Sequence, residues 1–120
     1  MILIILPAYN EEESLPRLIP KLQATLTEMG EEYKILVCND GSKDRTQALL
    51  EEYAATISLE IIQHKINRGL GESSRDLFER AAEIIEPGDV IVRLDCDDTH
   101  EPEYIPTIVN KVRDGFDVVI

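Results

Sequence analysis

The chain has 120 residues, of which 43% are hydrophobic and 30% are charged, a composition typical of one soluble globular domain. Its 24 acidic and 12 basic residues give a net charge of −12. Nucleic acids and anionic membranes attract basic surfaces, so this charge and the lack of a long basic run argue against a nucleic-acid partner. An anionic ligand would need a local arginine, a helix N-terminus or a metal ion to bind.

The apolar and polar residues alternate along the chain in the periods of strands and helices. The run Ile2–Leu6 predicts a strand that is buried on both faces. From Glu12 to Met29 apolar residues recur at spacings of three and four, which predicts a helix that Pro20 either kinks or delays. The other predicted elements are strands at 34–38, 59–63, 90–94 and 117–120, and helices at 44–55, 73–86 and 103–113.

Strands and helices alternate throughout, without a hairpin signal of the Asn-Gly type, and this predicts an α/β, Rossmann-like fold. Its sheet should be mostly parallel, with helices on both faces. In such sheets ligands bind beyond the carboxyl ends of the strands, where polar clusters follow the first four predicted strands. We therefore expect Pro7, Asp40, Gly69 and Asp95 to surround one cleft.

Neither a membrane span nor an export signal is predicted. No apolar run approaches the roughly 18 residues expected of a membrane-spanning helix, and the start of the chain does not have the pattern of a signal peptide. Cys38 and Cys96 each close an apolar run and are expected to be reduced, buried thiols. These features predict a cytoplasmic protein.

An acidic cluster follows the fourth predicted strand, in the sequence "RLDCDDTH". Asp95 and Asp97 alternate across one residue and could hold Mg²⁺ or Mn²⁺ through hard oxygen ligands, with the Thr99 hydroxyl as a weaker third ligand. Such an ion would neutralise a bound diphosphate. The alternative is that these aspartates cap the next helix, and Asp98, whose side chain should point away from the other two, fits that alternative.

The loops after the first two strands offer groups that could recognise a nucleoside. Asp40 could accept hydrogen bonds from the ring N–H groups of a base, or it could form an Asx turn while Ser42 or Asp44 caps the next helix. Tyr9 offers a ring for stacking on a base. Glu11 could reach a ribose or base, or compensate the dipole of the following helix.

Glycines mark the loop after the third strand, in the sequence "NRGLG". The loop matches neither the P-loop pattern nor the dinucleotide-binding pattern G-x-G-x-x-G. Either its backbone passes close to a ligand or the glycines make a plain turn from strand to helix. Lys65 or Arg68 could contact a diphosphate, or either could be solvated.

Four motifs in this order resemble the family 2 glycosyltransferases, and among them most closely the dolichol-phosphate mannose synthase-like branch. They are "LPAYNEEESLPRLI", "VCNDGSKDRT", "NRGLGESSRDLF" and "RLDCDDTHEP". The sequence departs from the family pattern at Asn39, where the family has the first Asp of D-D-G-S. It departs again at Cys96, where the family has a small residue, often Ala.

The resemblance implies the nucleotide-binding half of a GT-A fold. Within it the residues of the first two loops would hold the nucleoside. Asp95 and Asp97 would bind the metal ion and the diphosphate, with the backbone around Cys96 close to the sugar nucleotide. The residues that the resemblance assigns to this site are Pro7, Tyr9, Glu11, Asp40, Asp95, Cys96 and Asp97. Asp95, Asp97 and, more weakly, Thr99 would be the metal ligands.

The implied activity is the inverting transfer of a sugar from GDP-mannose or a UDP-sugar to an acceptor such as a polyprenyl (dolichyl) phosphate. This acceptor would bring the protein to the cytosolic face of a membrane. The family continues into an acceptor half, so residues 1–120 should form the donor part, contain no catalytic base and not catalyse alone. Two alternatives are a nucleotidyltransferase, which usually has a basic glycine-rich loop after the first strand, and a nucleotide-binding domain without catalysis.

Overall fold

A computed structural model describes residues 1–95 and 104–113. In chain order its elements are β1 (Ile2–Ala8), α1 (Leu15–Met29), β2 (Tyr33–Asp40), α2 (Thr46–Ala54), β3 (Leu59–His64), α3 (Leu70–Ile84), β4 (Val90–Arg93) and α4 (Ile105–Arg113). The strands form one parallel sheet in the order β3-β2-β1-β4. The predicted α/β, Rossmann-like fold is confirmed.

Helices cover both faces of this sheet because β1 and β2 are apolar on both sides. On one face Ile4 and Val37 lie in a buried cluster with side chains of α1, α2 and α4. On the other face Leu36 and Cys38 pack against Leu77 of α3. Cys38 is the buried, free thiol that its position predicted, whereas Cys96 lies outside the described residues. The core therefore consists of two apolar layers, one on each face of the sheet.

Two helices begin three residues away from their predicted starts. α1 begins at Leu15 rather than at Glu12, because the carbonyl of Glu11 accepts hydrogen bonds from the N–H groups of Ser14 and Leu15 in a turn before the helix. α3 begins at Leu70 rather than at Ser73. The predicted strand at 117–120 lies outside the described residues. None of the helices in the described ranges is long and apolar enough to cross a membrane.

The strand order reverses at the border between β1 and β4. From β1 the chain builds outward through β2 to β3, and α3 then carries it back to β4 on the other side of β1. The helices that follow β1 and β3 lie on opposite faces of the sheet. A reversal of this kind opens a crevice at the carboxyl ends of the strands, and this is where α/β sheets bind ligands.

Candidate functional site

A cleft of about 370 Å³ lies at the carboxyl edge of the sheet. Six residues that the sequence predicted for the site line this cleft: Pro7, Tyr9, Glu11, Asp40, Gly69 and Asp95. Asn67, Leu70 and Ser73 also line the cleft but were not singled out by the sequence. The expected convergence of the four loops is thus confirmed, while the part that each residue takes in binding stays a prediction. Cys96, Asp97 and Thr99 lie outside the described residues.

The lining of this cleft is acidic. Glu11, Asp40 and Asp95 contribute carboxylates, and no lysine or arginine is among its lining residues within the described part of the chain. Beside the cleft, Nη2 of Arg93 lies 3.8 Å from Oδ1 of Asp95. Because carboxylates repel phosphate oxygens, a cation would favour the binding of a diphosphate in this cleft. Within residues 1–95 and 104–113, no three side chains of His, Cys, Asp or Glu are grouped in a way that could hold a metal ion.

Hydrogen bonds join the loop after β1 to the loop after β2. The N–H of Asn10 donates to Ser42 Oγ at 2.9 Å, and Asn10 Oδ1 accepts from the N–H of Lys43 at 2.9 Å. The N–H of Glu11 donates to Thr46 Oγ1 at 2.8 Å. Asn10 has a φ of 52°, a left-handed conformation that asparagine tolerates better than most residues. These bonds fix the β1 loop, and with it the position of Glu11 in the cleft.

Asp44 accepts hydrogen bonds just before α2, but the N-cap position is taken by Arg45, whose side chain makes no capping hydrogen bond, so neither of the two predicted capping residues holds that position. Its Oδ1 accepts from the N–H of Thr46 at 2.9 Å and from the Thr46 hydroxyl at 2.5 Å, and its Oδ2 accepts from the N–H of Glu12 at 3.3 Å. Burial opposes ionisation, but these hydrogen bonds outweigh it and lower the pKa of Asp44. Ser42 does not cap the helix. Its N–H donates to Asn39 Oδ1 at 3.2 Å, which makes Asn39 the Asx turn residue.

Asp40 fixes the glycine loop to the end of β2. Its Oδ1 accepts from the N–H of Arg68 and from Nδ1 of His64, both at 2.8 Å, and its Oδ2 accepts from the N–H of Gly69 at 2.9 Å. The side chain is only 6% exposed. Burial raises the pKa of Asp40, but the hydrogen bonds from His64 and the two backbone amides outweigh it and leave the pKa lowered. Among the described residues Oδ2 accepts one hydrogen bond, so it could accept another from the N–H of a base.

His64 is the main residue of this site that the sequence did not single out. It pairs with Asp40 in the register of β2 and β3, so the two side chains lie next to each other on the face covered by α3. Its Nε2 lies 2.5 Å from Oδ2 of Asp76 on α3. Because each ring nitrogen faces a carboxylate, the imidazolium form of the ring, with a proton on both nitrogens, would satisfy both acceptors. The only signal in the sequence was the alternation of β3, which places His64 on the same face as Ile62.

The two carboxylates raise the pKa of His64. The hydrogen bond to Asp40 has the largest effect, burial opposes it, and the hydrogen bond to Asp76 adds to the increase. The Sγ of Cys38 lies 3.8 Å from Nε2, and burial raises the pKa of this thiol, which keeps it neutral. A histidine with a raised pKa therefore lies between two aspartates directly behind the lining of the cleft, where it contacts the lining residue Asp40.

Comparison with known proteins assigns this chain to a family. The family model described as "Glycosyl transferase family 2" matches residues 3–120. The chain belongs to glycosyl transferase family 2.

Curated relatives of this glycosyl transferase chain share one name. An "Undecaprenyl-phosphate 4-deoxy-4-formamido-L-arabinose transferase" of Pseudomonas fluorescens (strain Pf0-1) is 36% identical over 118 residues, which cover 97% of the chain and 33% of the relative. The protein of the same name from Pectobacterium carotovorum subsp. carotovorum (strain PC1) is 39% identical over 118 residues, which cover 97% of the chain and 35% of the relative. The chain thus spans about a third of the length of these relatives.

Solved structures show the same fold. The structure of S. aureus TarS 1-349 in complex with UDP-GlcNAc has a TM-score of 0.70 and 20% identity, and the match covers 94% of this chain and 31% of that one. The complex of the same protein with UDP has a TM-score of 0.67, 21% identity, and coverage of 94% and 32%. These matches confirm the GT-A fold that the resemblance implied. The narrower assignment to the dolichol-phosphate mannose synthase-like branch stays a prediction.

The ion pairs of His64 predict that the stability of this family 2 chain falls as the pH rises. The folded-state pKa of His64 lies above its ordinary value of 6.5. Its contribution to stability is therefore fully present below that value and is lost as the pH rises through the folded-state pKa. Urea unfolding of the wild type between about pH 6 and pH 9 should show this loss.

His64→Gln is the matched variant, because glutamine is similar in size and cannot ionise. It should lose this part of the pH dependence, while the contributions of all other groups are shared by both proteins. Equal slopes of unfolding free energy against pH in the two proteins would contradict the assignment of a charged His64.

Proposed function

We propose that the protein transfers a sugar from a nucleoside-diphosphate sugar to a polyprenyl phosphate. The observation that carries the proposal is the single cleft in which the loops after all four strands meet in a chain of this family. The relatives are named for undecaprenyl phosphate, which supports a polyprenyl phosphate as the acceptor class. Family membership also favours this reaction over nucleotidyl transfer.

The nucleoside would lie against the loops after β1 and β2. Tyr9 is 42% exposed and lines the cleft, so its ring is accessible for stacking on a base. Asp40 would accept an N–H of the base through the free lone pair of Oδ2. Glu11, which the bond to Thr46 positions, would reach the ribose, and Pro7 would close the floor beside it. Uracil and guanine both present a ring N–H, so this pocket fits UDP and GDP.

The diphosphate would bind beside Asp95, together with Mg²⁺ or Mn²⁺. The acidic lining of the cleft supports this part of the proposal, because a cation would offset the repulsion between these carboxylates and a diphosphate. Asp95 offers the hard oxygen ligand that these ions prefer, and Asp97, Thr99 and the backbone at Cys96 would complete the contacts. When bound, the ion would neutralise the departing nucleoside diphosphate.

A polyprenyl phosphate acceptor does not require a general base among residues 1–120. Its phosphate is already ionised at neutral pH, so no general base has to remove a proton from it. Residues 1–120 would then supply the donor site, and the residues that bind the acceptor would come from another part of the protein. Because this acceptor is a lipid, the cleft would work at a membrane surface, and we place it on the cytosolic side.

The metal dependence of nucleotide binding tests this proposal. Wild-type protein should bind UDP or GDP more tightly with Mn²⁺ than without it, by isothermal titration calorimetry. Asp97→Asn should abolish that enhancement without reducing the stability of the metal-free protein, because it relieves repulsion between neighbouring carboxylates. Asp98→Asn is the matched control and should keep the enhancement.

The capping alternative for the acidic cluster predicts a different pattern. Mn²⁺ would then leave the nucleotide affinity of the wild type unchanged. Replacing the aspartate that caps the helix would reduce the stability of the protein by about 1 kcal/mol. Incubation with UDP- or GDP-sugars and a polyprenyl phosphate completes the test. Because residues 1–120 would supply only the donor site, this incubation uses the full-length protein. Nucleotide binding by that protein without any sugar transfer would support a binding domain rather than an enzyme.

A further inference from the structure

His64 combines three properties that a residue of the apolar core does not have. Its side chain is 6% exposed, it lies between two carboxylates, and it is one step removed from the cleft rather than in its lining. Burying an imidazolium has a desolvation cost, and an apolar side chain could fill the same space without it. A role for the charge itself accounts for this arrangement better than packing does.

Asp40, one of the two carboxylate partners of His64, controls the shape of the cleft. Asp40 holds the backbone N–H groups of Arg68 and Gly69, and the Nδ2 of Asn67 donates to the Asp40 carbonyl at 3.3 Å. The loop held in this way leads directly into α3, whose first residue, Leu70, also lines the cleft. The orientation of the Asp40 carboxylate therefore sets one wall of the cleft.

We propose that His64 is the positioning residue of the nucleotide cleft: as an imidazolium it fixes the Asp40 carboxylate, and through it the Arg68–Gly69 backbone, in the form that receives the nucleotide. This inference rests on the proposed function, since it concerns the same cleft. A neutral ring has one N–H, so it can donate to Asp40 or to Asp76 but not to both. Nucleotide affinity should then fall as the pH rises through the folded-state pKa of His64.

The groups that face His64 allow this effect to be isolated. They are the carboxylate of Asp40 and the thiol of Cys38 from β2, and the carboxylate of Asp76 from α3. Asp76 does not line the cleft and contacts the side of the ring away from Asp40. Asp76→Asn therefore removes one source of the raised pKa and leaves the cleft lining unchanged.

Two substitutions of His64 separate its two hydrogen bonds. The side-chain amide of asparagine reaches about as far as Nδ1, so His64→Asn keeps a donor toward Asp40. The longer glutamine reaches about as far as Nε2, so His64→Gln keeps a donor toward Asp76 and loses the one toward Asp40. A lost hydrogen bond to a charged group corresponds to a roughly tenfold to hundredfold weaker affinity, and we expect this for His64→Gln.

The experiment measures UDP and GDP affinity by calorimetry between about pH 7 and pH 9, above the second pKa of a phosphate group near 6. Wild-type affinity should fall with pH, and Asp76→Asn should move the midpoint of that fall to lower pH. His64→Asn should bind better than His64→Gln and show no midpoint. Any titration of the nucleotide is common to all variants. The amide NMR signals of Arg68 and Gly69 should titrate with the same midpoint as the ring of His64.

Two outcomes would overturn this inference without contradicting the proposed function. One is a pH profile that is the same in the wild type and Asp76→Asn, and the other is equal affinity in His64→Asn and His64→Gln. In both cases the protein would still bind nucleotide, and the proposed function would stand. If neither UDP nor GDP binds the wild type at any pH, the proposed function is wrong and this inference fails with it.

Discussion

Gly41→Ala should destabilise the protein by about 2–5 kcal/mol, because two costs add at this position. Gly41 has a φ of +70°, which costs a residue with a Cβ about 1–2 kcal/mol. A Cβ there would also lie 2.3 Å from the carbonyl carbon of Ile66 and 2.4 Å from the backbone nitrogen of Asn67. Since both atoms are backbone, the loop would have to move. Urea unfolding measures the loss of stability.

The same variant should weaken nucleotide binding, because the displaced loop contains Asn67 of the cleft and leads to the amides that Asp40 holds. Gly30→Ala is the matched control. Gly30 ends α1 with a φ of +73°, and a Cβ there would meet nothing within 4 Å. It should cost only about 1 kcal/mol, and it should leave nucleotide affinity unchanged. Equal losses of stability in the two variants would show that the loop at Ile66 moves freely.

Asp40→Ala should destabilise the protein by about 3 kcal/mol, the lower end of the range for removing one partner of a buried ion pair. It leaves the imidazolium of His64 with one carboxylate instead of two, and it leaves the N–H groups of Arg68 and Gly69 without their acceptor. The value lies at the lower end because Asp76 still balances the charge. Asp44→Ala, which removes the acceptor of the Glu12 and Thr46 N–H groups, is the control and should cost about 1 kcal/mol, as the loss of a helix cap does.

A double-mutant cycle separates the ion pair from the loop anchor. If much of the loss in Asp40→Ala comes from the unbalanced imidazolium, His64→Leu in the same chain should restore part of the stability. The coupling between the two substitutions should then be about 1–3 kcal/mol, whereas additive losses would show that the pair contributes nothing beyond the separate residues. Asp40→Ala should also weaken nucleotide binding, but a moved loop and a lost contact to the base both explain that result.

The sequence determined the fold class, the order of the elements and the edge of the sheet that carries the cleft. β1 is a continuous apolar run, and the apolar residues of α1 recur at helical spacing. Such patterns can be read from the local sequence because each element must bury its own apolar face. Parallel strands joined by helices bring their carboxyl ends to one edge. Pro7, Asp40 and Asp95 could therefore be placed together without any knowledge of their partners.

Only the tertiary structure decided what the Asp40 carboxylate contacts. The sequence alone allowed Asp40 to form a turn or to accept hydrogen bonds from a nucleotide base. The register of β2 and β3 places its side chain beside His64 and within hydrogen-bonding distance of the glycine loop. The apolar spacing predicted a start of α3 at Ser73, after the glycine loop. The amides held by Asp40 fix the preceding loop, and the helix begins at Leu70 instead. Hydrogen bonds between residues far apart in the chain depend on register and packing, and periodicity does not encode either of them.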